Sequence, residues 1–172
     1  MILGMTTPTF TLMHVLISLA GIASGFVVLY GFLTAKRLDG WTLLFLVTTV
    51  ATSVTGFLFP IEKITPGLVL GTLSLVLLAV AILSRYQLHL EGGWRSVYVI
   101  SAMVALYFNV FVAIVQAFEK VPALRAAAPT QKEAPFVVSQ LVVMAAFVWA
   151  TFAATKRFRG ESVTPTQSQR TA

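Results

Sequence analysis

Four uncharged polar side chains stand out because nearly everything around them is apolar: His14, Asn109, Gln116 and Gln140. An imidazole and three carboxamides can donate and accept hydrogen bonds, and a histidine can also ligate a metal or carry a proton. Asn109 and Gln116 are seven positions apart, which puts them on one face of a helix. His14 and Gln140 each fall near the start of an apolar run. Polar groups in hydrocarbon need partners. One reading is that the four satisfy one another through interhelical hydrogen bonds. The other is a shallow, outward-facing pocket for a quinone headgroup, a lipid or another small molecule.

Other chemistries find no residues to perform them. The chain has no Cys, so disulfides, thiolate metal sites and thiol nucleophiles are excluded. It contains no H-E-x-x-H, no G-x-S-x-G and no phosphate-binding glycine loop. Its two histidines, His14 and His89, fall at opposite ends of the expected bundle and cannot share an iron within one protomer. No metal and no cofactor is expected. Arg85, His89, Glu91 and Arg95 cluster in the segment SRYQLHLEGGWR; one reading is a phosphate or anionic-lipid site, the other a positive-inside topology signal with a Gly92-Gly93 turn.

The elements that must position these residues follow from composition. Of 172 residues, 58% are hydrophobic and only 10% charged, with a mean hydropathy of +0.89. A soluble domain carries about 25% charge, so this chain belongs in a bilayer. The net charge of +6 does not point to nucleic acid, because the basic residues lie in the gaps between apolar runs and form no stripe. The expected fold is an all-α integral membrane bundle over residues 1–158. Its five transmembrane helices are expected at about 11–35, 41–59, 67–83, 97–118 and 136–155. Four spans plus a re-entrant 67–83 segment is the alternative. Residues 160–172 read as a disordered tail.

Orientation follows from the basic residues. With the N-terminus outside, the inner segments hold Lys36, Arg37, Arg85, Arg95, Lys156, Arg157, Arg159 and Arg170, against Lys63, Lys120, Arg125 and Lys132 outside. Trp41, Trp94 and Trp149, with Tyr30 and Tyr86, fall towards the same inner interface. The loop between the last two spans, with Pro122, Pro129 and Pro135, reads as a lid or a solvated connector. Small residues at Gly21 and Gly25, and again at Gly67 and Gly71, suit close helix packing, either inside the chain or across a homo-oligomer.

The segments HVLISLAGIASG, LYGFLTAKRLDGWT, TTVATSVTGF and LYFNVFVAIVQAFEKVPAL resemble small polytopic bacterial inner-membrane proteins. The likeness spans about residues 10–158 and implies a compartment, not an activity. The first hairpin also resembles membrane haem proteins in having a His early in one helix. Only His14 matches that pattern, since the second helix opens on Asp39-Gly40-Trp41. The expected role is non-catalytic: an accessory, assembly or membrane-organising protein whose partners are the lipid bilayer and other membrane proteins. The alternative is a small redox or lipophilic-ligand-binding protein using the polar pocket.

Overall fold

The computed structural model describes residues 2–60 and 66–158. Among them the chain is helical: α1 (Thr7–Leu33), α2 (Asp39–Gly56), α3 (Pro66–Ile82), α4 (Trp94–Lys120), α5 (Pro122–Ala127) and α6 (Ala134–Arg157). Four segments are long and apolar enough to cross a membrane: Thr7–Leu33, Gly67–Gln87, Trp94–Lys120 and Ala134–Arg157. The third segment, expected to be the shortest, gains length because α3 runs on through a π-helical turn at Leu83–Gln87. It is one continuous helical stretch, long and apolar enough to cross a bilayer. The helix that falls short is α2, whose 18 residues open on Asp39-Gly40 and include Thr42, Thr48, Thr49, Thr52, Ser53 and Thr55. The expected disordered tail lies outside the described residues.

Local signals set the helix ends. Thr6 caps α1 by accepting a hydrogen bond from the Thr9 amide at 3.4 Å, and Pro8 occupies the first turn, where its missing amide costs nothing. At the other end Ala35 takes a left-handed φ of 56° and the Lys36 amide donates to the Gly31 carbonyl at 2.8 Å. That is the helix-stop geometry usually built on glycine. Gly31 is required beneath it, because a Cβ there would lie 3.0 Å from the Lys36 carbonyl oxygen. The chain reverses in this short space, and α2 runs back along α1.

Gly21 and Gly25 are buried inside the chain and form no free face. A Cβ on Gly21 would meet the Thr48 and Thr49 hydroxyls at 3.3 Å, while one on Gly25 would overlap Leu106 and lie 3.0 Å from the Phe45 ring. The close approach in lipid is therefore spent on α2 and α4. Gly71 faces the Phe57 ring, 3.6 Å from where its Cβ would be.

Antiparallel packing makes the two ends of the bundle different. At one end Phe32 of α1, Tyr98 of α4 and Phe158 beyond α6 stack edge to face, with centroids 5.0 and 5.5 Å from Phe32. Arg85, in the π-helical turn, is buried there and donates to the Tyr98 hydroxyl at 3.2 Å and to the Asp39 carboxylate. Arg85 is thus not the loop cation the sequence suggested: the π turn carries it inside, where it needs an anion and finds one at the start of α2. Trp41, Trp94, Tyr30 and Tyr86 are exposed at this same end. At the opposite end lie the N-terminal turns of α1 and α3 and the C-terminal turns of α2 and α4, and there the bundle is open.

Candidate functional site

Apolar helices can carry hydroxyls because a Ser or Thr can donate to its own backbone one turn back. Ser18 donates to the His14 carbonyl at 2.8 Å, Thr48 to Leu44 at 2.6 Å, Thr55 to Ala51 at 2.7 Å and Ser101 to Val97 at 2.6 Å. Thr52 breaks the pattern. Its hydroxyl is buried and has no hydrogen-bond partner, and it stands in the wall of a large hollow.

That hollow is a cavity of about 920 Å³ between α1, α2, α3 and α4. The volume is in the range of small-molecule sites, about 300–1,000 Å³. Thr11, His14 and Ser18 line it from α1, Thr52 and Gly56 from α2, Gly67, Gly71 and Ser74 from α3, and Asn109, Gln116 and Lys120 from α4. Ile22, Leu70, Phe108 and Val112 make much of the remaining wall. The glycines on α3 keep that side open by presenting no side chain. Asn109 and Lys120 are eleven positions apart on α4, so the cavity runs roughly 16 Å along the helix at about 1.5 Å per residue.

The hydrogen-bond roles at the upper wall can be assigned. Thr55 spends its proton on the Ala51 carbonyl, so at 2.8 Å from His14 Nδ1 it can only accept. His14 therefore carries its proton on Nδ1 and leaves Nε2 as an acceptor. The ring is held edge-on against Phe59, centroids 5.3 Å apart. Asn109 donates to Thr49 at 3.4 Å, a long bond, and Gln116 donates to Glu119 at 3.5 Å on the exposed face.

The structure thus brings three of the four sequence candidates, His14, Asn109 and Gln116, onto one cavity wall. It does not bring Gln140 there. Gln140 is buried between α6 and α4 and donates to the Phe111 carbonyl at 3.3 Å, and its own oxygen has no partner. His89 is exposed in the loop after the π turn, at the opposite end from His14. The sequence placed Lys120 among the outer topology signals and gave Thr52 and Ser74 no part in a site. Thr52 gave no signal, since its neighbours Thr48 and Thr55 are of the same type and are satisfied. A second hollow of about 390 Å³ lies between α4 and α6, lined by Met103, Tyr107, Met144 and Phe147 among others, and is almost wholly apolar.

No protein-family model, no curated protein and no solved structure matches this chain.

Proposed function

We propose that the chain is a membrane protein that holds one lipophilic ligand in the cavity between α1, α2, α3 and α4. The observation that carries the reading is the unpartnered Thr52 hydroxyl in the wall of a 920 Å³ hollow that also exposes His14, Asn109 and Gln116. A buried hydroxyl without a partner costs about 1–3 kcal/mol, and a bound polar group would remove that cost. The apolar remainder of the wall suits a hydrocarbon body. The accessory-protein reading, working through helix contacts with other membrane proteins or a second copy, draws less support, because Gly21 and Gly25 are already covered by α2 and α4.

The test is native mass spectrometry of protein released from mild detergent. Wild type is expected to retain one amphiphile per chain. Ala113→Phe, which fills the cavity wall, should lose it, while Val142→Phe on the exposed face of α6 should not. An adduct retained equally by all three rejects the reading.

The same proposal sets the protein in a bacterial inner membrane with five spans, N-terminus outside and C-terminus cytoplasmic, so that the cavity opens outward. The weight of Lys and Arg at the Arg85 end supports this, as does the exposed Trp41 and Trp94 pair there. Single Cys probes are clean because the chain has none. Lys36→Cys and Glu91→Cys should be shielded from an impermeant reagent added outside, and Pro60→Cys and Ala126→Cys should react. Labelling of Lys36→Cys and Pro60→Cys from the same side would mean that α2 does not span.

A further inference from the structure

We infer that the amphiphile carries an anionic headgroup, a carboxylate or a phosphate ester, held at Lys120; this rests on the reading that the cavity binds a lipophilic ligand. Lys120 is the last residue of α4 and lines the mouth of the cavity. It is the only Lys, Arg, Asp or Glu among the described lining residues. Among the described residues, no carboxylate lies within ion-pair reach of it: the two ion pairs present join Asp39 to Arg37 and to Arg85 at the far end. The neighbouring Glu119 is turned to the Gln116 amide on the exposed face.

Among the described residues, the mouth therefore presents an ammonium with no ion-pair partner. Gln116 stands one helical turn deeper in the lining with its amide given to Glu119, so the Lys120 ammonium is the charged donor at the mouth. Below them the wall turns to Ile22, Phe108 and Val112, where hydrocarbon belongs. A neutral headgroup would leave the ammonium unmatched, whereas an anion at the mouth gains a charge-assisted bond while its tail enters the cavity. The roughly 16 Å between Lys120 and Asn109 is about half the ~30 Å hydrocarbon thickness. A lipid drawn from the leaflet at this end could keep its head at the water boundary and its chain at normal depth.

The experiment uses the full chain in phosphatidylcholine nanodiscs with the fluorescent fatty acid cis-parinaric acid. Displacement is compared for palmitic acid, hexadecyl phosphate, hexadecanol and inorganic phosphate. The two anionic amphiphiles should displace the probe about tenfold better than the alcohol, a difference of about 1.4 kcal/mol at the low end for a charge-assisted bond. Inorganic phosphate should not compete, which separates a lipid-borne anion from a free one. Lys120→Gln should bind the probe itself more weakly, because cis-parinaric acid is also a carboxylate, and should abolish the preference among the competitors; Lys120→Arg should restore both. Lys120 is exposed at a helix end, so both variants should keep the wild-type melting temperature. If hexadecanol matches palmitic acid in wild type, or if Lys120→Gln keeps the preference, the headgroup inference is overturned and the lipophilic-ligand reading stands. If inorganic phosphate alone competes, the site is for a free anion and the inference also falls. If nothing displaces the probe and Ala113→Phe binds it like wild type, both readings fail together.

Discussion

Asp39→Ala removes the carboxylate that faces Arg85, and the pair is lopsided in a way that fixes which partner matters more. The Arg85 side chain is 3% exposed and the Asp39 side chain 72%. Without Asp39, a buried guanidinium keeps only the Tyr98 hydroxyl and the faces of Tyr86 and Tyr98, 5.7 and 5.2 Å away. Stranding a charge in a buried pair costs about 3–5 kcal/mol. The outer end of this pair meets water, so about 3 kcal/mol is the expected loss. Arg85→Met is the milder change. It leaves Asp39 solvated and fills the same space, and Tyr98 keeps its hydrogen bond with Thr42, so the loss should be near 1 kcal/mol. The double variant should resemble Arg85→Met, giving a coupling of about 3 kcal/mol between the sites. Unfolding in mixed micelles can be followed by tryptophan fluorescence, since Trp41 and Trp94 both lie at this end. Additive losses within about 0.5 kcal/mol, or a larger loss for Arg85→Met than for Asp39→Ala, would refute the reasoning.

Gly25→Leu drives a side chain into Leu106 and Phe45, both buried, and should cost about 3 kcal/mol, against about 0.5 or less for Ala23→Leu on the exposed face; equal stability in denaturant titrations would place Gly25 outside the contact. Gln140→Leu removes a buried amide whose oxygen has no partner, so stability should change by less than about 1 kcal/mol in either direction and cis-parinaric acid binding should not change. A loss of binding would return Gln140 to the site. Glu133 precedes α6; slight desolvation raises its pKa, but the Thr130 hydroxyl at 2.8 Å and the Thr130 and Lys132 amides bind the ionised form and hold it below the ordinary glutamate value. Its depressed folded-state pKa means the loop's stabilisation is complete above the unfolded value and fades as pH falls through the folded one. Hydrogen-exchange protection of the Thr130 amide should fall in that acidic window in wild type and be low throughout in Glu133→Gln; a pH-independent wild type would show that the carboxylate does not order the loop.

Much of the architecture was legible because hydropathy reports directly on what a helix is surrounded by. Every apolar run became a helix, and α1 and α2 are separated by the short polar break that holds Lys36 and Arg37. The ends were less legible. The chain continued as helix past Leu83 because Arg85, a residue that normally ends a span, could be buried once Asp39 and Tyr98 met it. That meeting joins the start of α2 to the turn before α4, a relation between distant segments that periodicity does not carry. The polar residues of α4 were legible by spacing: Asn109 and Gln116 share a face and line one cavity. Gln140 lies outside this cavity: its place along α6 was readable from the sequence, but the side of the helix it occupies was not. Thr52 shows the same limit more sharply, since only the packing decides which of several equivalent hydroxyls loses its backbone partner.

The contrast between the two ends bears on why a cavity can persist in a bundle this small. Helices in lipid gain nothing from burying apolar surface against one another, so a hollow closes only if side chains can interlock or hydrogen-bond across it. At the Arg85 end they do both: three aromatic rings interlock and a guanidinium bridges two helices. At the His14 end α3 presents Gly67 and Gly71, and its short polar side chains cannot reach across, so closure would gain few contacts. His14 and Thr55 instead tie α1 to α2 on one side of the opening, and Asn109 holds Thr49 beneath it. The walls are thus braced along their length while the space between them stays open.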